Sequence, residues 1–196
     1  MIIPIVEGHS EVESIPVLMR RLLEEAGVHG IDIGKPIRVP RHQVVRQGQL
    51  EKHVENVGAL RPGTRAVMLI IDADDDCPKD LGPQLLERAQ RAAGGRLVCS
   101  VVLPMRELES WFLATVESLK GRHAIREDVV PPADPENIRD AKGWLTSVME
   151  GRSYVEVDDQ PAFAAMFDLQ RAHEQCRSFR KFSKDFHEII TTLRPN

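Results

Sequence analysis

Three pairs of acidic residues stand just past three apolar runs: Glu7 with Glu11 after Ile2–Val6, Asp72 with Asp74 after residues 67–71, and Glu107 with Glu109 after residues 97–103. Carboxylates held side by side repel one another unless a cation lies between them. Oxygen-only donors select a hard divalent ion, and magnesium, or manganese in its place, is the natural occupant. Three pairs are about what two octahedral ions require once water and a substrate phosphate fill the other positions, and such a pair of ions promotes attack of water on a phosphodiester. The run from Asp72 to Asp76, DADDD, also has plainer readings as a solvated loop, a helix cap or a turn. A calcium loop does not fit, because Cys77 stands where the glycine is needed and Pro83 where the bidentate Glu should be. An aspartyl phosphotransfer site begins in the same way and stays open as an alternative.

For these pairs to meet, the runs before them must be neighbouring strands. Residues 67–71 are five consecutive apolar residues, the pattern of a strand covered on both faces. Residues 2–6 and 97–103 read the same way. Helical spacing follows the first strand through Ile15, Leu18, Met19, Leu22, Leu23 and Ala26, with Ser10 and Glu13 placed as a capping box. Pro16 then implies either a kink or a start at Ser14. Residues 36–45 read as extended, Gln49–Leu60 as an amphipathic helix and residues 81–93 as a third helix closed by Gly94 and Gly95. Strands separated by helices in this way predict an α/β fold, a Rossmann-like, mostly parallel sheet flanked by helices, whose ligands bind beyond the C-terminal strand ends. Asp72 and Asp74, two apart, are expected to share a face there.

From Thr115 the pattern changes to a proline-rich turn region at residues 129–137, a short helix at 141–149 and helical stretches at 163–169 and 170–176. A basic, aromatic and then amphipathic end closes the chain. Residues 1–118 are therefore expected to form the catalytic domain, and residues 119–196 a mainly helical C-terminal extension packed on it. Phe179, Phe182 and Phe186 recur at helix spacing and are expected in the core, as are Trp111 and Phe112. Nothing in the sequence approaches a membrane span. Cys77, Cys99 and Cys176 are odd in number and widely spaced, which argues against a disulfide framework or a zinc site and predicts reduced thiols in a cytoplasmic protein. A net charge of -4 provides no global attraction to nucleic acid, so contact with a polyanion must come from local basic groups. Arg38, Arg41 and Arg46 form one such group; Arg177, Arg180, Lys181 and Lys184 form another.

The VEGHSE segment, Val6 to Glu11, followed by the D-x-D of Asp72 to Asp74, resembles the Toprim signature of topoisomerases, bacterial primases and the overcoming-lysogenization-defect nucleases. With ELESWFLA at Glu107 to Ala114 and SFRKF at Ser178 to Phe182, the layout is similar to a Toprim-like bacterial family often encoded beside ATPases. The resemblance implies Glu7 as a metal ligand or general acid/base, Asp72 and Asp74 on magnesium, Glu11 with Glu7 at one ion, and Glu107 or Glu109 with the aspartates at the other. It also implies a downstream lysine, Lys181 or Lys184, facing the charge that develops on phosphorus. Tyr154 is the only tyrosine, and the separate tyrosine domain of a topoisomerase and the accessory domains of a primase are missing. Hydrolysis of DNA or RNA is what remains, with an ATPase as a further expected partner. The alternative is a non-catalytic module that binds nucleic acid or that ATPase.

Overall fold

Successive residues of a strand face opposite ways, so a strand apolar at every position needs a cover on each side. The computed structural model, which describes residues 1–194, supplies both covers. Four strands, β1 (Ile2–Val6), β2 (Ile37–Arg38), β3 (Ala66–Ile70) and β4 (Val98–Val102), lie in the order β2-β1-β3-β4, all parallel. Val6 pairs with Ile70, and Ile70 with Val102, which brings three strands to their C-terminal ends at the same level. Those three ends carry the three acidic pairs.

One face of the sheet, with Ile3, Ile5, Val67, Leu69 and Val101, is covered by α2 (Arg41–Val44), α3 (Gln49–Leu60) and α4 (Pro78–Ala93). The other, with Ile2, Val6, Met68, Ile70 and Val102, belongs to a larger core built with α1 (His9–Glu25), α5 (Ser110–Ala114), α6 (Ala141–Val148), α7 (Glu156–Met166), α8 (Leu169–Gln175) and α9 (Arg177–Leu193). The α/β class with a mainly helical C-terminal part is therefore what the chain adopts. Among the described residues, no helix is long and apolar enough to cross a membrane.

The C-terminal part shares this second core with the sheet. Along α1, Ser14 Oγ donates to Gln160 of α7 at 2.7 Å, and Arg21 donates to the carbonyls of Ala164 and Phe167 at 2.8 Å each. Trp111, Phe112, Phe179, Phe182 and Phe186 are all fully buried. Phe179 lies edge-on to Trp111 at 5.1 Å and to Phe167 at 5.5 Å, between α5, α8 and the sheet. Phe179→Ala is expected to cost about 3–5 kcal/mol, because the cavity it leaves is walled by rings that cannot collapse into it. Urea unfolding tests this, and a loss under about 1 kcal/mol would contradict the packing described.

Three local expectations are corrected, and the alternative left open at Pro16 is decided. No capping box forms: α1 starts at His9, its N-cap Gly8 makes no side-chain cap, and Ser10 Oγ donates instead to Glu156 at 3.1 Å. Pro16 lies inside the helix rather than in its first turn. Residues 36–45 are extended only at Ile37–Arg38, after which Pro40 leads into the single turn of α2. Helix α4 begins three residues before the predicted start, with Pro78 in its first turn, where the missing N–H is not needed.

Candidate functional site

Asp72 follows β3 in register with Ala66, Met68 and Ile70, the residues facing α1 and the C-terminal helices, so the strand's alternation turns its carboxylate toward that side. One oxygen accepts from the Leu108 amide at 2.9 Å, which pins it to the loop after β4. Burial, reinforced by Glu109, Glu11 and Glu7, pushes its pKa well above the ordinary aspartate range, even though the residue keeps some exposed surface.

Glu7 continues β1 and Glu11 lies in the first turn of α1, where the helix dipole favours an acid. Glu11 is 7% exposed, and one oxygen of each of these two carboxylates is buried without a hydrogen-bond partner. Burial, with Asp74 and Glu11 nearby, raises the pKa of Glu7; burial likewise raises that of Glu11. Orphaned buried oxygens of this kind are rare in folded proteins and call for a cation or a proton. Gly8 leaves room for the Glu11 carboxylate, since a Cβ there would overlap Glu11 Oε2. Gly8→Ala is therefore expected to expel the Glu11 carboxylate and, on the reading of the acids as a magnesium site, to weaken magnesium binding by about 10–100-fold, the range seen when support around a metal ligand is lost. Isothermal titration with magnesium measures this, and an unchanged affinity would exclude Glu11 from the site.

The third pair divides. Glu109 is 1% exposed and accepts from Tyr154 Oη at 3.1 Å and Gln160 Nε2 at 3.2 Å, while burial pushes its pKa up to about 7. Glu107 instead faces the backbone amides of Ala141 and Lys142 at the start of α6, and is itself raised by burial. It reads as a helix-end acid at the edge of the group.

Asp74 also departs from expectation. The strand ends before it, its φ is 52°, and its exposed carboxylate pairs with Arg41 Nε at 3.3 Å instead of turning inward beside Asp72. Arg41 in addition donates to the carbonyls of Asp72 and Ala73 and pairs with Asp76. It staples the acidic loop rather than standing free for a phosphate backbone. Glu7, Glu11, Asp72 and Glu109 thus form an acidic trough, buried at Glu11 and Glu109 and partly exposed at Glu7 and Asp72, with Asp74 and Glu107 on its margins. Among the described residues, no three His, Cys, Asp or Glu side chains are grouped so that they could hold a metal ion.

Lys142, which the sequence did not single out, enters this trough from α6. Its Nζ lies 2.7 Å from Glu156 and 4.0 Å from Glu109. Burial alone would lower its pKa, but Glu109, Glu156 and Asp72 together carry it upward, so it stays protonated. Lys181 and Lys184 are elsewhere, on the exposed side of α9: Lys181 pairs with Asp185 at 2.6 Å and Lys184 faces Glu188 at 3.8 Å. Neither stands among the acids. Arg177 and Lys181 line a groove between α4 and α9, Arg180 donates to the His173 and Glu174 carbonyls, and Arg38 and Arg46 are exposed on the far side of β1.

An open parallel sheet with a trough of oxygen donors and one lysine at its C-terminal rim defines an α/β protein with a candidate cation site. The chain belongs to the family described as a domain of unknown function, DUF4276, which it matches over residues 6–186. No curated protein and no solved structure matches it significantly.

Proposed function

We propose that the protein is a magnesium-dependent nuclease that hydrolyses phosphodiester bonds of DNA or RNA. The observation carrying this reading is the pair of buried, unpartnered oxygens of Glu7 and Glu11 beside the enclosed carboxyl of Asp72. All donors are oxygens, which fits magnesium or manganese, and closure of the trough around the ion would supply the coordination. Glu7, Glu11 and Asp72 would hold it, with Glu109 at the inner end and Asp74 at the outer. Bound there, the ion supplies a lower pKa for water and compensation for charge developing on the phosphoryl oxygens.

The chain's own residues do the rest. Glu7, whose pKa burial raises above the ordinary carboxylate range, is in its other implied role the group that accepts a proton from water. Lys142 is held protonated beside Glu109 and is the cation placed to face the developing negative charge, the role the Toprim resemblance had pointed toward Lys181 or Lys184. Tyr154 and Gln160 fix Glu109 in turn. A location in the cytoplasm and an ATPase as partner complete the reading, and both rest on the resemblance and on the thiol pattern.

Incubating the purified chain with supercoiled plasmid, single-stranded DNA and RNA, in magnesium or manganese against EDTA, tests the activity. Cleavage of one substrate only with metal supports it. If none is cut, with or without an ATPase partner, the alternative of a non-catalytic nucleic-acid or ATPase-binding module takes its place.

A further inference from the structure

An acidic trough repels the polyanion it is meant to receive, so the strand flanking the scissile bond needs cations at the rim. Arg41 is occupied by Asp74 and Asp76. Two other arginines converge there. Arg106, in the loop after β4, and Arg139, in the loop before α6, donate to the same oxygen of Asp75 at 3.0 and 2.9 Å. Asp75 itself is 76% exposed, whereas the Arg106 side chain is 19% exposed and its Nε is buried with no acceptor.

The pair is tied to the trough through the backbone. The Asp74 amide donates to the Arg106 carbonyl at 3.1 Å, and Arg106, like Asp74, holds a left-handed φ, 60° against 52°. Two residues further along the same loop, the Leu108 amide holds Asp72. On the other side, Arg139 precedes Asp140, whose side chain caps the helix carrying Lys142. One carboxylate oxygen shared by two guanidinium groups leaves a net positive charge, and an exposed carboxylate presents the geometry that guanidinium groups use for phosphate.

We propose that Arg106 and Arg139 form a phosphate-binding subsite for the nucleic-acid backbone beside the trough, and that Asp75 occupies it as a surrogate anion until a phosphate replaces it. The inference rests on the nuclease reading for its ligand, but it concerns binding and not cleavage. Asp75 acts as a competitor whose removal strengthens binding, the opposite of what a merely structural acid does.

Anisotropy of a fluorescein-labelled single-stranded oligonucleotide and of its duplex, in EDTA over a series of salt concentrations, provides the test with the full chain. The Arg106→Ala/Arg139→Ala double variant is expected to weaken binding at least about tenfold and to flatten the slope of log K against log salt by about 1.5, two phosphates' worth. Asp75→Asn is expected to tighten binding several-fold. Because Arg106 is largely buried, Arg139→Ala alone, at a 72% exposed side chain, serves where the double variant does not fold, with a slope change of about half that size. Unchanged affinity and slope in the arginine variants, or weaker binding in Asp75→Asn, would overturn the subsite. Cleavage measured separately in magnesium keeps the two readings apart. Loss of cleavage with the Arg-dependent binding intact removes the nuclease reading and leaves the subsite standing; cleavage with Arg-independent binding does the reverse.

Discussion

Lys142→Met is expected to lower magnesium-dependent cleavage by about 100–1,000-fold, the usual cost of removing one group that meets charge developing in the transition state. Its ammonium lies 2.7 Å from Glu156 and 4.0 Å from Glu109, the latter beside the carboxyl of Asp72. The loss should fall on kcat, with KM changed less than about threefold, because the interaction strengthens only as charge appears. Lys184→Met, on the outer face of α9 toward Glu188, should cut as wild type does. Asp72→Asn should match or exceed the Lys142 loss, since it removes the carboxylate that Glu109, Glu11 and Glu7 all adjoin. Single-turnover kinetics on a substrate shown to be cleaved settle both. Full activity in Lys142→Met would move the developing charge away from α6. Lys142 also balances Glu109, so the same variant should lose stability, by about 1–3 kcal/mol after allowance for a side chain 41% exposed to screening solvent.

Metal-free protein is expected to lose stability as pH rises from 5 to 8, and divalent metal to restore it. The sign follows from linkage: the carboxyl of Glu109 holds its proton up to about pH 7 in the folded chain, against an ordinary value of 4.5. Between those values the folded state binds more protons than the unfolded, so unfolding becomes easier as pH increases. Below about 4.5 the penalty is absent, and above about 7 it is complete, at most about 3 kcal/mol for Glu109 alone. Asp72, Glu7 and Glu11 shift the same way and add to it. On the proposed reading magnesium takes the ionised carboxylates, so its effect on Tm should be several degrees at pH 8, small at pH 5.5, and much reduced in Asp72→Asn. Thermal unfolding with magnesium against EDTA at the two pH values measures all three terms. A Tm that climbs with pH in EDTA, or an equal magnesium shift in Asp72→Asn, would remove the coupled acids from the account.

The parts of the molecule legible in the sequence were those whose residues repeat a physical period. The apolar runs of β1, β3 and β4 announced strands covered on both faces, and Gln49–Leu60 was bounded correctly because Gly48 precedes it and Pro62 follows. Phe179, Phe182 and Phe186 pointed inward at helix spacing, which already implied that Lys181 and Lys184 between them face outward. Reading those lysines as catalytic set charge type above helix geometry. Lys142 carried no such signal: it is one lysine in an eight-residue helix, and only the fold turns it toward Glu109. Helix α7 was hidden in its first half because EVDDQPA is acidic and contains Pro161; its packing against α1 relies on polar groups, Gln160 with Ser14 and Glu156 with Ser10. Asp74 was misplaced because alternation was extended past the end of β3 into a left-handed turn.

The seam between α1 and α7 has a consequence for biosynthesis. Ser10 and Ser14 are synthesised long before their partners Glu156 and Gln160, and before the tyrosine at 154 that with Gln160 secures Glu109. A nascent chain therefore carries Glu7 and Glu11 before Lys142 and α7 exist to flank them. The acidic trough is therefore walled only once α7 has followed α1 out of the ribosome.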